Sequence, residues 1–415
     1  MTEIIQRAQI LIEQQRYKDA EDLLKQALTA NPNNSFVLSL LAEVNLQMER
    51  YNEATLLVNS AISTSPDNAY LFGIKGRLYM LQEQYTDALE QFEHAIMLNP
   101  AEADYYAYCS FIKLQRKDYK EAVELADLAL ALNPENILAL NNRSRALVKL
   151  KDYEASYQTI EGALREDPNN DYTHANYGWN LLEQGDHKKA LEHFREALQN
   201  NPLSEYAKEG MVEALKANNL FYRLFLKYSF WIGNLREKYQ WGVIIGFMVV
   251  SRFIRTMAKN NEALRPFLIP VIILLTLFAF STWVMTPIGN LFLRLNKFGK
   301  HLLSEKEKRS SNFVGISLLI CIVGLIAYLV TQDQRMLAIA AFGFAMMVPL
   351  GSMFAPSKGN GLLYYAMAMA AAGILAIYNT FNTGELFNGY STLFLLGFVG
   401  YQWVANYILI RASNR

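Results

Sequence analysis

Apolar positions along this chain follow two different rules. Up to about residue 217 they recur in amphipathic helical stretches in which small residues return every 34 positions. Beyond about residue 241 they run on with little interruption for roughly 20 residues at a time. The first rule predicts short helices paired and stacked in series, each burying one face against the next. The second predicts helices long enough to cross a hydrocarbon layer of about 30 Å.

The first half keeps its register closely. Pro32, Pro66, Pro100, Pro134, Pro168 and Pro202 stand 34 residues apart. Counting Met1 as position one, position 20 reads Ala20, Ala54, Ala88, Ala122, Ser156 and Ala190, and position 27 reads Ala27, Ala61, Ala95, Ala129, Ala163 and Ala197. Side chains larger than these would hold two helices apart and destroy a close ridge-into-groove contact. Position 8 is small throughout (Ala8, Ala42, Gly76, Ser110, Ser144, Gly178), and position 24 carries a bulky filler in every repeat except the fourth, where it is Ala126. An aromatic marks the turn at position 17: Tyr17, Tyr51, Tyr85, Tyr119 and Tyr153, with His187 in the last repeat.

On these residues the segment resembles the tetratricopeptide repeat family. The resemblance implies an all-α fold: an amino-terminal superhelix of six helix pairs over residues 1–217, closed by a capping helix at roughly Ser204 to Ala217 that solvates the end of the array. The whole chain also resembles bacterial proteins that join such repeats to a multi-span carboxy-terminal domain.

Charge separates the same two halves. Residues 1–219 hold 21 Lys and Arg against 33 Asp and Glu, a net of −12, whereas residues 220–415 hold 18 against 6, a net of +12. In the second half the cations gather between apolar runs, the pattern of a membrane domain. Five runs approach the spanning length: Phe267 to Ile288, Phe313 to Val330, Met336 to Ala355, Gly361 to Phe381 and Tyr390 to Ile410. A sixth, Trp241 to Met257, is interrupted by Arg252 and Arg255 and reads either as a span or as a helix lying at the interface. The expected domain is therefore a bundle of five or six spans over residues 241–411. With six spans and the amino end in the cytoplasm, the inner segments carry Arg223, Lys227, Arg236 and Lys238, then Arg294, Lys297, Lys300, Lys306, Lys308 and Arg309, then Lys358, then Arg411 and Arg415. The outer segments carry only Arg252, Arg255, Lys259, Arg265 and Arg335. This bias, together with a first repeat helix that begins at Met1 with no signal segment before it, predicts a multi-pass protein of the bacterial inner membrane with cytoplasmic repeats.

Between the halves, residues 218–240 alternate Phe221, Tyr222, Phe225, Tyr228, Phe230, Trp231 and Tyr239 with Arg223, Lys227, Arg236 and Lys238. Aromatic rings with polar edges settle at headgroup depth and nearby cations favour an anionic leaflet, so this joint reads as a juxtamembrane interfacial helix. A helix buried between the domains is the other reading.

In the family, the first helix of each repeat lines a peptide groove. By that resemblance the groove candidates are Tyr70, Arg77, Phe111, Asn141, Arg145, Tyr172 and Trp179: Arg77, Arg145 and Asn141 to hold a carboxylate, the aromatics to hold apolar side chains. Members that grip chaperone tails place Lys and Asn in one repeat and Lys and Arg two repeats later; here the first repeat has Ile5 and Gln9, and the third has Gly73 and Arg77. In the last run, Gln402 and Asn406 lie four apart on one helical face, suited to bonding another helix or to a polar pathway.

Catalytic patterns are missing. His94, His174, His187, His193 and His301 have no metal-ligand spacing, and no phosphate loop or nucleophile elbow occurs. Cys109 and Cys321 read as small buried hydrophobes. The expectation is an adaptor that binds a protein or peptide and the lipid bilayer, is not an enzyme, and engages no cofactor, metal or nucleic acid. The alternative is a transporter or channel with the repeats as a regulatory cap.

Overall fold

The computed structural model describes residues 2–294, 299–354 and 360–413. Lys297, Lys358 and Arg415 of the charge argument, and Ala355 at the end of the third apolar run, lie outside the described residues. Among the described residues the regular structure is entirely helical. The chain divides into two compact units, residues 1–180 and 181–415.

The first unit holds consecutive helix pairs: α1 Thr2–Glu13 with α2 Tyr17–Ala30, α3 Ser35–Gln47 with α4 Tyr51–Thr64, α5 Ala69–Leu81 with α6 Tyr85–Leu98, α7 Ala103–Gln115 with α8 Tyr119–Leu132, and α9 Ile137–Lys149 with α10 Tyr153–Glu166. Most of α11, Asp171–Gln184, follows. Every second helix opens at the position-17 aromatic. Each ends because a proline follows its cap residue: Asn31 and Asn133 are extended, with ψ 90° and 98°. The residue before a proline is driven out of the helical region by the ring. Asn34 and Asn136 then cap the next helix by accepting from backbone N–H groups.

Positions 8 and 24 share one volume. In the third repeat a Cβ on Gly76 would lie 2.7 Å from the Phe92 ring, so the largest filler stands opposite the smallest residue. In the fourth the filler is Ala126, and Ser110 donates to the Ala122 carbonyl at 2.6 Å. First helices touch at several steps, α1 on α3, α3 on α5 and α7 on α9, and line the inner face, while the second helices meet one another less closely and splay on the outer one.

The second unit contains α12 His187–Asn200, α13 Glu205–Lys216, α14 Leu220–Gly233, α15 Glu237–Asn260, α16 Arg265–Arg294, the short α17 Gly299–Leu302, α18 Glu305–Thr331, α19 Met336–Ser352, α20 Gly361–Thr383 and α21 Gly389–Ser413. Among the described residues, four helices are long and apolar enough to cross a membrane: Lys238–Asn260, Arg265–Arg294, Glu305–Thr331 and Gly361–Thr383. The α15 segment, ambiguous in sequence, is among them. α19 is a shorter apolar helix of 17 residues, and α21 runs for 25.

Small residues set the packing of this bundle. Gly324 and Gly343 bring the backbones of α18 and α19 into contact, and Ser310 and Ser317 donate across to the carbonyls of Gly351 and Gly343. On α21 the Tyr401 hydroxyl pairs with Ser352 Oγ at 2.9 Å and donates to the Pro349 carbonyl at 3.1 Å, and the Gly397 carbonyl accepts from the Tyr365 hydroxyl of α20 at 3.0 Å. Gln402 and Asn406 are half-buried, and among the described residues neither side chain has a hydrogen bond.

The capping helix differs from the sequence expectation. α13 does not solvate an end: Val212 packs with Leu293 and Leu303, so its outer face is buried by α16 and the segment that follows it. An apolar edge that water would otherwise meet is covered within the second unit instead.

Candidate functional site

The first helices place positions 2 and 9 of each repeat on the inner face. Position 2 supplies Phe36, Tyr70 and Tyr172, exposed by 50%, 44% and 37%, an unusual display for rings of this size. Position 9 supplies Glu43, Arg77, Phe111, Arg145 and Trp179. Phe111 and Trp179 are half-buried, so one side of each ring faces outward.

Arg77 is already engaged. Its Nη1 lies 2.7 Å from Glu43 Oε1, one repeat back and at the same position, and the Tyr70 hydroxyl donates to the same carboxylate oxygen at 3.3 Å. Burial opposes the charge on Arg77, but Glu43 and the Tyr108 phenol outweigh it and hold the guanidinium pKa above its ordinary value. Burial and Glu43 push the Tyr70 hydroxyl up to about 12. The cluster is thus a charge-balanced crosslink between repeats two and three that presents aromatic surface. Arg145 makes the corresponding step in the fifth repeat, its Nη1 3.5 Å from the Tyr172 hydroxyl.

Asn141 goes inward instead. It is fully buried, donates to the Ile137 carbonyl and to Thr173 Oγ1 at 2.9 Å each, and accepts from Asn176 Nδ2 at 2.9 Å. Asn180 donates to Ser144 Oγ, and Asn142 to the Ala107 carbonyl, at 2.9 Å each. These amides form a buried polar seam that fixes the register of repeats four to six. A carboxylate clamp built from Arg77, Arg145 and Asn141 is therefore not assembled: one guanidinium is paired and the amide is enclosed, while the rings of Phe36, Tyr70 and Tyr172 stay exposed.

Sequence reasoning missed Glu43 as the partner of Arg77, and missed Tyr108. The signal was present, since opposite charges at one repeat position stand 34 residues apart and so face each other across a repeat boundary.

Tetratricopeptide repeat family models match residues 11–78 and 113–175, residues 75–137, and residues 172–204. Among solved structures, the chain is similar to a Pseudomonas aeruginosa protein described as pilF (19% identity over 51% of this chain and 96% of that one, TM-score 0.43). A tetratricopeptide repeat protein from Parabacteroides merdae is 17% identical over 55% of this chain and 90% of that one, TM-score 0.44. YrrB, described as a repeat protein with an unusual peptide-binding site, is 18% identical over 45% of this chain and 96% of that one, TM-score 0.34. No curated protein matches the chain.

Proposed function

Given that its amino-terminal half belongs to the tetratricopeptide repeat family, whose members are generally non-catalytic scaffolds suited to protein binding, we propose that this chain is a membrane-anchored adaptor. Its ligand is a protein segment gripped through apolar and aromatic side chains rather than through a terminal carboxylate. The observation that carries this is the column Phe36, Tyr70 and Tyr172, exposed beside Phe111 and Trp179 while Arg77 is neutralised by Glu43. Aromatic anchors supply large contact area at low entropic cost, which is why they dominate binding surfaces. Catalysis has no part in this reading. Anchoring is supported by four apolar helices of spanning length among the described residues, and the cation bias favours repeats on the cytoplasmic side of a bacterial inner membrane. The domain division it assumes is repeats to 217, a joint over 218–240 and spans over 241–411.

The test is photocrosslinking in intact cells from a benzoylphenylalanine placed at Tyr70 or at Trp179, followed by mass spectrometry. A shared partner at both positions is expected, and Tyr172→Ala should reduce its yield. Partners differing at every position, none displaced by Tyr172→Ala, refute the groove. Digestion of the repeats by protease added outside right-side-out spheroplasts refutes the topology.

The transporter reading has one observation behind it. Asn290 Oδ1 and Ser251 Oγ are buried on α16 and α15 without a hydrogen-bond partner. Solute flux through proteoliposomes of the full chain, abolished by Asn290→Leu, would favour it over the adaptor.

A further inference from the structure

The outer face of the repeats carries a second opening that the groove does not explain. It lies between α6 and α8, the second helices of repeats three and four, over α7. Clefts of this kind open at two consecutive steps, and position 7 of the intervening first helix sets what lies across each. That position reads Leu41, Lys75, Cys109, Arg143 and Tyr177 in repeats two to six. One step further along, a cleft of about 360 Å³ opens between α8 and α10, but Arg143 lines it with its charge already engaged, its Nε 2.6 Å from Asp127 on α8 and its Nη1 bonded to Thr159 on α10. In repeat six, Tyr177 packs on Tyr157, ring centroids 6.2 Å apart. In repeat four the residue is the short Cys109, 1% exposed, and above it a cleft of about 290 Å³ remains.

The lining states what the cleft would accept. Leu89 and Ile96 of α6 face Leu125 and Leu128 of α8, and Leu128 is half exposed although large and apolar. Glu93, Glu121 and Glu124 rim the opening. Lys113 neutralises one of them, Nζ to Glu121 Oε2 at 2.6 Å, leaving Glu93 and Glu124 exposed without such a cation. Burial, with Glu93 nearby, pushes the Cys109 thiol up to about 12, so it stays neutral and forms an apolar floor. The volume falls just below the range of small-molecule pockets, about 300–1,000 Å³, and suits one or two side chains of a macromolecule. A trough between two helices with an apolar bed and an acidic margin is the complement of a helix with an apolar stripe and basic flanks.

We propose that the α6–α8 cleft is a second docking site, taking a cationic amphipathic helix of a partner protein with a large apolar side chain seated over Cys109 and Lys or Arg side chains on Glu93 and Glu124. The site is independent of the inner groove, so one array can hold two ligands at once.

The experiment uses the full chain in nanodiscs, with empty nanodiscs as background, and two fluorescein-labelled 18-residue helical peptides of identical Leu pattern, one with Lys and one with Glu at the polar positions. Fluorescence anisotropy is expected to show saturable binding of the Lys peptide and none of the Glu peptide. Cys109→Tyr, the residue that occupies this position in repeat six, and Glu93→Lys/Glu124→Lys should each weaken the Lys peptide about tenfold or more. Cys109→Ser, which leaves the cleft open, and the remote reversal Glu13→Lys/Glu53→Lys should stay within about twofold. Circular dichroism of each variant reports that it is folded, and Cys109→Ser with the rim reversal tests the site even if Cys109→Tyr does not fold. Comparable binding of the Glu peptide, or undiminished binding in the rim reversal, overturns the proposal. So does loss of the Lys peptide in Tyr70→Ala/Trp179→Ala with retention in Cys109→Tyr, which moves the site to the inner groove. A chain dimer that the rim reversal dissolves overturns it in favour of a second copy as occupant.

Discussion

The turn between the two helices of a repeat forces one residue into the left-handed region, always at position 15. Gln15, Glu49, Glu83, Lys117 and Lys151 have φ between 59° and 67°, and only the sixth repeat places a glycine there, Gly185 at φ 94°. For a residue with a Cβ this conformation costs about 1–2 kcal/mol, because Cβ crowds the following carbonyl oxygen. Glycine removes that cost but gives the unfolded chain more freedom, worth about 0.5–1 kcal/mol. The net expectation for Glu83→Gly or Lys151→Gly, both exposed, is a gain of about 0.5–1 kcal/mol each. The sites lie two repeats apart and share no partner, so the double variant should gain about 1–2 kcal/mol. Urea unfolding of residues 1–219, compared between parent and variants, would read this as a midpoint raised by on the order of 0.5 M for a slope of about 3 kcal/mol per molar. Glu90→Gly, in the exposed interior of α6, is the control and should lower the midpoint by a comparable step. A double-variant midpoint at or below the parent would refute the reasoning, since it would mean that the native turn carries no strain for glycine to relieve.

Three further outcomes follow from named contacts. Asn141→Leu leaves Asn176 Nδ2 buried without its acceptor and should cost about 1–3 kcal/mol in urea unfolding, while Asn141→Leu/Asn176→Leu recovers part of it in a double-mutant cycle. Arg77→Met strands the mostly buried Glu43 carboxylate and should destabilise by about 2 kcal/mol, more than Arg77→Met/Glu43→Met, which removes both charges; equal losses would mean that the pair is held by solvent. Partial burial and the neighbouring Glu307, Glu205 and Glu213 push the Glu209 carboxyl upward, so its protonated form favours the fold: that contribution is complete below about pH 4, near the unfolded value, and is lost as pH rises through the raised folded value. Glu209→Gln should therefore melt higher than the parent at pH 7.5 and converge with it on acidification, and a parallel offset at both pH values would exclude the titration.

The repeat register was legible because it is written in volume. Small residues at positions 8, 20 and 27 are required wherever two helices touch, and a proline enforces every exit, so a count along the chain finds them. The site was legible only in part. Position identifies which residues face inward on average, but it does not say that Asn141 is drawn into a seam by Thr173 and Asn176, because that depends on partners in the next repeat. Nor does it say that Arg77 is paired, although the 34-residue offset to Glu43 allowed it. The cleft over Cys109 was further out of reach: the fourth repeat announces a missing filler at Ala126, yet the opening lies over position 7, between helices of two different repeats. In the second unit, Gln402 and Asn406 drew the eye by polarity, whereas their neighbour Tyr401, aromatic and so unremarkable beside Trp403 and Tyr407, bonds across to Ser352 and Pro349.

Within the second unit, the packing of α13 on α14 and α16 depends on a buried cation. Lys216 ends α13 with its side chain 1% exposed, which is tolerable only because Glu213 Oε1 lies 2.8 Å from Nζ and the Tyr222 ring stands 5.5 Å away. The other oxygen of Glu213 accepts from the Tyr222 hydroxyl at 2.7 Å, and Gly289 of α16 fits against that same ring because a Cβ there would lie 2.7 Å from it. Burial and Glu213 hold the phenol pKa well above its ordinary value, so the donor keeps its proton throughout the physiological range. Three helices thus share one carboxylate and one ring, with Asn219 capping α14 in place of a flexible linker. A device of this kind has little slack: tilting α13 against α14 would separate Glu213 from the Tyr222 hydroxyl or drive that ring into α16, leaving the partly buried carboxylate with one partner fewer. α13 is in this respect held by the same compact unit as α14 and α16.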